Sequence, residues 1–108
     1  MGSSMAIYEM IEWEVLPGKM EELLKLEQPY QAYLQGTGGK IIGGFTTAVG
    51  DTGRLVALVA YDDMGQFGQG VQAAQQNPEL QKLLQAAAGL YTETRTSILL
   101  PTPGSQLQ

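Results

Sequence analysis

The chain has 108 residues and a net charge of −5, with six Lys and Arg against eleven Asp and Glu. That length suits one domain, and six scattered cations are too few to displace the counterions of a nucleic acid. Neither Cys nor His occurs, which excludes disulfides, thiolate metal sites, a Cys nucleophile and the usual general base near neutral pH. No apolar run approaches the roughly 20 residues needed to span a bilayer. The N-terminus carries no signal-peptide pattern, so no membrane partner is expected and the expected compartment is the cytoplasm. Met1-Gly2-Ser3-Ser4 ahead of Met5 reads as an expression-vector remnant. Residues 1–5 are therefore set apart, 6–101 form the domain, and 102–108 form a C-terminal tail.

Ala6 to Val15 reads as a first strand, with Ile7, Glu9, Ile11, Trp13 and Val15 on one face and Tyr8, Met10, Glu12 and Glu14 on the other. Leu16-Pro17-Gly18-Lys19 turns into a helix carrying Met20, Leu23, Leu24, Leu26, Tyr30, Tyr33 and Leu34 near helical spacing. Pro29 falls inside that pattern and should kink or break it. Lys40 to Val49 reads as a second strand and Arg54 to Tyr61 as a third, joined through Gly50-Asp51-Thr52-Gly53. Asp62 or Asp63 can cap a glycine-rich helix with Met64, Phe67, Val71 and Ala74 inward. Asn77-Pro78-Glu79 starts a fresh helix with Leu80, Leu83, Leu84 and Ala87 along one side. Thr92 to Leu100 reads as the last strand, stopped by Pro101.

The third strand is apolar at every position from Leu55 to Tyr61. Strand side chains alternate between faces, so such a strand is covered on both. The order strand, helix, strand, strand, helix, strand is the ferredoxin-like βαββαβ arrangement of α+β proteins. It gives an antiparallel four-stranded sheet with helices on one face only. A second copy of the chain is the expected cover for the other, making a dimeric α+β barrel.

In the same order come Ile7-Tyr8-Glu9-Met10, Leu16-Pro17-Gly18-Lys19, Gly39-Lys40-Ile41-Ile42-Gly43-Gly44-Phe45, Ala60-Tyr61-Asp62-Asp63-Met64, Asn77-Pro78-Glu79 and Ile98-Leu99-Leu100-Pro101-Thr102-Pro103. Taken together these motifs resemble NIPSNAP-type proteins from about Ile7 to Pro103. The resemblance implies the dimeric α+β barrel superfamily, which includes cofactor-free monooxygenases, polyketide cyclases, isomerases and decarboxylases. It also implies a ligand pocket between each sheet and its own helices. This chain departs from the resemblance at Ile11, where an Arg is common, and at Ala57 and Val59, where a His and a Trp are common. Its second helical stretch carries Gly and Gln in place of Arg. Roles tied to those Arg and His residues do not carry over.

Glu9, Ile11 and Trp13 project from one face roughly 7 Å apart. In an apolar pocket, desolvation would raise the Glu9 carboxyl toward general acid or base range. Alternatively, Glu9 pairs with Arg95 on the last strand or reaches solvent at a sheet end. Trp13 can stack on a planar ligand, or belong to the core or to a dimer interface. The chain has five Tyr and two Phe. Tyr61 and Tyr91, each at an element end, are placed best to line a cavity. Arg95 is either an anion contact or a partner for Glu9 or Glu93. The candidate catalytic residues are thus Glu9 and Tyr61, and the candidate ligand contacts are Trp13, Ile11, Tyr91 and Arg95. No metal site and no cofactor are expected. The Gly36–Gly39 and Gly43-Gly44 clusters lack the Lys and hydroxyl spacing of a phosphate loop. Two functions fit: a small cofactor-independent enzyme acting on an aromatic or polyketide-like molecule, or a non-catalytic dimer that binds a ligand or a protein. A cavity of roughly 300 Å³ or more with Glu9 or a tyrosine hydroxyl inside would favour the first.

Overall fold

The computed structural model describes residues 6–107, so the remnant read at residues 1–5 lies outside the described residues. Along the chain run β1 (Ile7–Val15), α1 (Met20–Leu24), α2 (Glu27–Gln35), β2 (Lys40–Thr46), β3 (Arg54–Tyr61), α3 (Met64–Gln75), α4 (Pro78–Ala88) and β4 (Tyr91–Leu99). The strands form one sheet in the order β2-β3-β1-β4, every neighbouring pair antiparallel. This is the ferredoxin-like α+β arrangement, with each helical stretch divided in two.

Pro29 divides the first stretch, but the break falls ahead of it. Pro29 has no N–H to give the Lys25 carbonyl, and its ring would crowd that group. The helix therefore ends at Leu24, where the Leu26 N–H turns back to the Leu23 carbonyl at 3.0 Å. It restarts at Glu27, which leaves Pro29 in the first turn. Asp63 and Asn77 cap the next two helices. The Asp63 carboxylate accepts from the Gln66 N–H at 2.8 Å. The Asn77 side-chain carbonyl accepts from the N–H groups of Glu79 and Leu80 at 3.0 and 3.1 Å.

Strand β2 stops at Thr46, short of Val49. Pairing with β2 ends at the Thr46–Leu55 pair, while β3 stays paired with β1 through Arg54–Glu14, and beyond it the Val15 N–H donates to the Gly53 carbonyl at 2.7 Å. The intervening loop holds Gly50 at φ +114°, a conformation L side chains rarely adopt. Ile42 is an extra residue in β2, a bulge between the Ile41–Val59 and Gly43–Leu58 pairs.

The two faces of the sheet differ. Toward the helices point Ile7, Ile11, Val59 and Tyr61, which form a core with Leu34, and Leu55, which packs with Leu23 and Leu90. Val59 is wholly buried. On the other face Val56, Leu58 and Ala60 are half-exposed, beside Phe45 at 56% exposure and Leu99 at 38%. The same face carries charge at one end. There the Arg54 Nη1 lies 3.2 Å from Glu12 Oε2 and its Nη2 lies 3.5 Å from Glu14 Oε1.

Helix α3 sits differently from the sequence pattern. Met64 turns outward and Val71 is only partly covered. Gly70 is the buried residue, against Thr37. The missing side chain at Gly70 lets α3 press onto the loop after α2, and that contact sets the rotation of the helix. A methyl at Gly70 would meet the Thr37 Cβ and carbonyl at 3.3 Å, whereas one at Gly68 would meet nothing within 4 Å. Gly68→Ala should therefore raise stability by about 1 kcal/mol in urea denaturation. Gly70→Ala should show no such gain.

Candidate functional site

A cavity of about 260 Å³ lies between the sheet and the helices. Its floor is Glu9, Ile11 and Trp13 of β1, Leu55 of β3, and Thr94 and Thr96 of β4. Alternation along β1 delivers three residues to one face, and the β1–β4 register sets Thr94 opposite Trp13 and Thr96 opposite Ile11. The roof comes from Leu23, Leu26, Glu27 and Tyr30 on one side and Leu83, Leu84 and Ala87 of α4 on the other, with Tyr91 at the end. The volume falls just under the roughly 300 Å³ at which small-molecule sites begin. A second cavity of about 130 Å³ adjoins it, toward α3. Glu9, Tyr30 and Leu84 line both.

Glu9 thus stands where the two spaces meet. Burial raises its carboxyl above the ordinary value, and a hydrogen bond from Tyr61 partly offsets this. That bond is long, with the Tyr61 Oη donating to Glu9 Oε1 at 3.4 Å. Burial and the nearby Glu9 charge push the Tyr30 phenol up to about 12. Tyr61 is pushed up in the same way, first by burial and then by Glu9 and Tyr30. Both phenols keep their protons at neutral pH, so they can donate hydrogen bonds and cannot serve as bases there. The Tyr61 ring is fixed edge-on to Phe67, with centroids 5.3 Å apart. It also covers Gly39, where a Cβ would come within 2.9 Å of the ring.

The sequence candidates divide accordingly. Glu9, Ile11, Trp13 and Tyr91 line the main cavity. Tyr61 lines the smaller one and reaches the main one only through Glu9. Arg95 requires a correction, since register places it opposite Glu12, on the face away from the helices. It is 66% exposed and pairs with Glu93 at 3.5 Å, which is one of the alternatives the sequence offered. It is neither a pocket residue nor a partner of Glu9.

Glu27 and Tyr30 were missed as site residues. Glu27 looks like an ordinary surface charge, yet it follows Leu23 by four residues and precedes Tyr30 by three. Read as one continuous helical pattern, that spacing puts it inside the apolar stripe, which was the available signal. Across the roof, the Tyr33 Oη donates to Glu79 Oε2 at 2.7 Å and ties α2 to α4. No group of three or more His, Cys, Asp or Glu among the described residues could hold a metal ion. Nor is any helix among them long and apolar enough to cross a membrane.

Comparison with known proteins agrees with this fold. No curated protein matches the sequence. A NIPSNAP family protein of Agrobacterium tumefaciens superposes with a TM-score of 0.87 at 24% identity, over 97% of this chain and 93% of that one. A NIPSNAP-like domain protein of Burkholderia xenovorans gives 0.81 at 24% identity, over 93% and 88%. A Nitrosomonas europaea protein, provisionally named an antibiotic biosynthesis monooxygenase, gives 0.72 at 12% identity, over 94% and 95%. At such identities the likeness concerns the fold. The family assignment rests on the sequence: residues 8–106 match the NIPSNAP family model, and the chain belongs to that family.

Proposed function

We propose that the chain is a homodimer, joined through the face its helices leave bare, that binds a small, mostly apolar or aromatic molecule in the helix-side cavity. In that cavity Glu9 acts as a general base and acid. The observation that carries this reading is the position of Glu9, a carboxyl raised by burial at the junction of two adjoining cavities. A raised carboxyl is better matched to proton transfer near neutral pH than an ordinary one. Tyr61 keeps its proton and holds Glu9 in place. Trp13 and Tyr91 offer aromatic surface to a planar ligand. A step that takes a proton from one ligand atom and returns it to another, as in an isomerisation or ring closure, can be served by these groups. The protein then contributes orientation and exclusion of water.

What supports a dimer is the half-exposed Val56, Leu58 and Ala60 beside the exposed Phe45. Apolar surface left in water favours association at roughly 25 cal/mol per Å² covered. A non-catalytic carrier is the second reading. The largely apolar walls of Leu23, Leu26, Leu55, Leu83 and Ala87 favour it.

Native mass spectrometry of protein from its own source should give a dimer carrying a small molecule, and Leu58→Arg should shift it to monomer. A parent chain that stays monomeric, with no retained molecule, would sink the proposal. Once a substrate is known, Glu9→Gln should lower turnover by about 10²- to 10⁴-fold while ligand affinity holds. Unchanged turnover would leave only the carrier reading.

Glu9 also makes a prediction about pH. Its folded-state pKa lies above the ordinary 4.5, so the folded chain binds that proton more tightly than the unfolded chain. Stability from this group is present below 4.5 and is lost as pH rises through the raised value. Urea denaturation between about pH 4 and pH 7 should show Glu9→Gln gaining on the parent as pH rises.

A further inference from the structure

None of the six cationic side chains lines either of these two cavities, and Lys40 lines a separate hollow beside Gly38 and Gly39. Arg54 and Arg95 stand on the far side of the sheet with Glu12, Glu14 and Glu93. Lys19 pairs with Glu22 outside α1, and Lys25, Lys40 and Lys82 are exposed. The titratable groups facing the main cavity are Glu9 on β1, Glu27 and Tyr30 on α2, and Tyr91 on β4. The smaller cavity adds Tyr33 and Tyr61. An anion entering this space would meet two carboxylates and no counter-charge.

Glu27 is not an ordinary solvated helix charge. Its Oε2 lies 3.2 Å from where a Cβ of Gly44 would stand, so the carboxylate tucks between α2 and β2. It makes no hydrogen bond or ion pair with another described residue. Trp13 and Tyr30 accompany it in the main cavity and again in a gap of about 30 Å³ over Gly44. A carboxylate with two aromatic neighbours and no protein partner suits an organic ammonium group, which gains from the charge and from the aromatic faces together.

We infer that the Trp13–Glu27–Tyr30 corner recognises the protonated head of a small organic amine, whose apolar body lies along Leu26, Leu83 and Ala87. The inference rests on the reading of the cavity as a small-molecule site and assigns that ligand its chemical class. Glu27 anchors the cation, and Glu9, at the inner end, remains the proton-transfer group.

Trp13 is the one tryptophan of the chain, so its fluorescence reports on this corner. The full chain is titrated at neutral pH with phenethylamine, phenethyl alcohol and hydrocinnamate, which share a phenyl body and differ in charge. The amine should bind about tenfold or more tighter than the alcohol, and the carboxylate more weakly than either. Glu27→Gln should abolish the amine-to-alcohol preference, and Glu27→Asp should restore part of it. Circular dichroism on each variant checks that the fold is kept. An amine that binds no tighter than the alcohol, or an amine-to-alcohol ratio that survives Glu27→Gln, would overturn the amine assignment and leave the cavity reading standing. No response to any of the three probes would overturn both.

Discussion

A sheet has two faces, and the helices of this chain cover one. That constraint orders the rest of the structure. Strand β3 is apolar on both sides, yet only Leu55, Ala57, Val59 and Tyr61 are buried within the chain. The helical layer lies over β1 and β3 and makes a core there. The opposite side divides into an apolar region around Leu58 and a charged end held by Arg54 with Glu12 and Glu14. The charged end sets where an apolar contact must stop, since covering it would desolvate ion pairs at a cost.

A strand that crosses the core also supplies the cavity's partly buried carboxyl. On β1, Glu9 lies between Ile7 and Ile11, both in the core. Between two buried isoleucines, Glu9 is itself only partly exposed. The backbone ladder on both sides of β1 fixes its height. The roof is held in a different way. Pro29 divides the helix above the floor, which puts the restart at Glu27 directly over the cavity. The Tyr33–Glu79 hydrogen bond then ties the two sides of the roof together. Backbone ladders on both sides of β1 hold the floor, and one side-chain hydrogen bond joins the two sides of the roof.

Much of the architecture was legible in the sequence. The element order, the limits of β3, the caps at Asp63 and Asn77 and the disruption at Pro29 each rest on local chemistry that neighbouring residues determine. The face of Arg95 was not legible, because it depends on how β4 slides against β1. That register includes an irregularity between Glu14 and Val15, and a shift of one residue moves a side chain to the other face. The outward turn of Met64 escaped for a similar reason, since contact with Thr37 sets the rotation of α3 at Gly70. Glu27 was missed because residue type outweighed position, although its spacing from Leu23 and Tyr30 placed it on the inner stripe.

Gly44 and Glu27 lie far apart in the chain and share one small volume. A Cβ at position 44 would stand 3.2 Å from the acid at 27, which would then have to shift, and a larger side chain would press on it further. The two positions should therefore vary together among related proteins. A bulkier residue in the strand calls for a shorter or differently turned one in the helix, and the pair would be inherited as a single character.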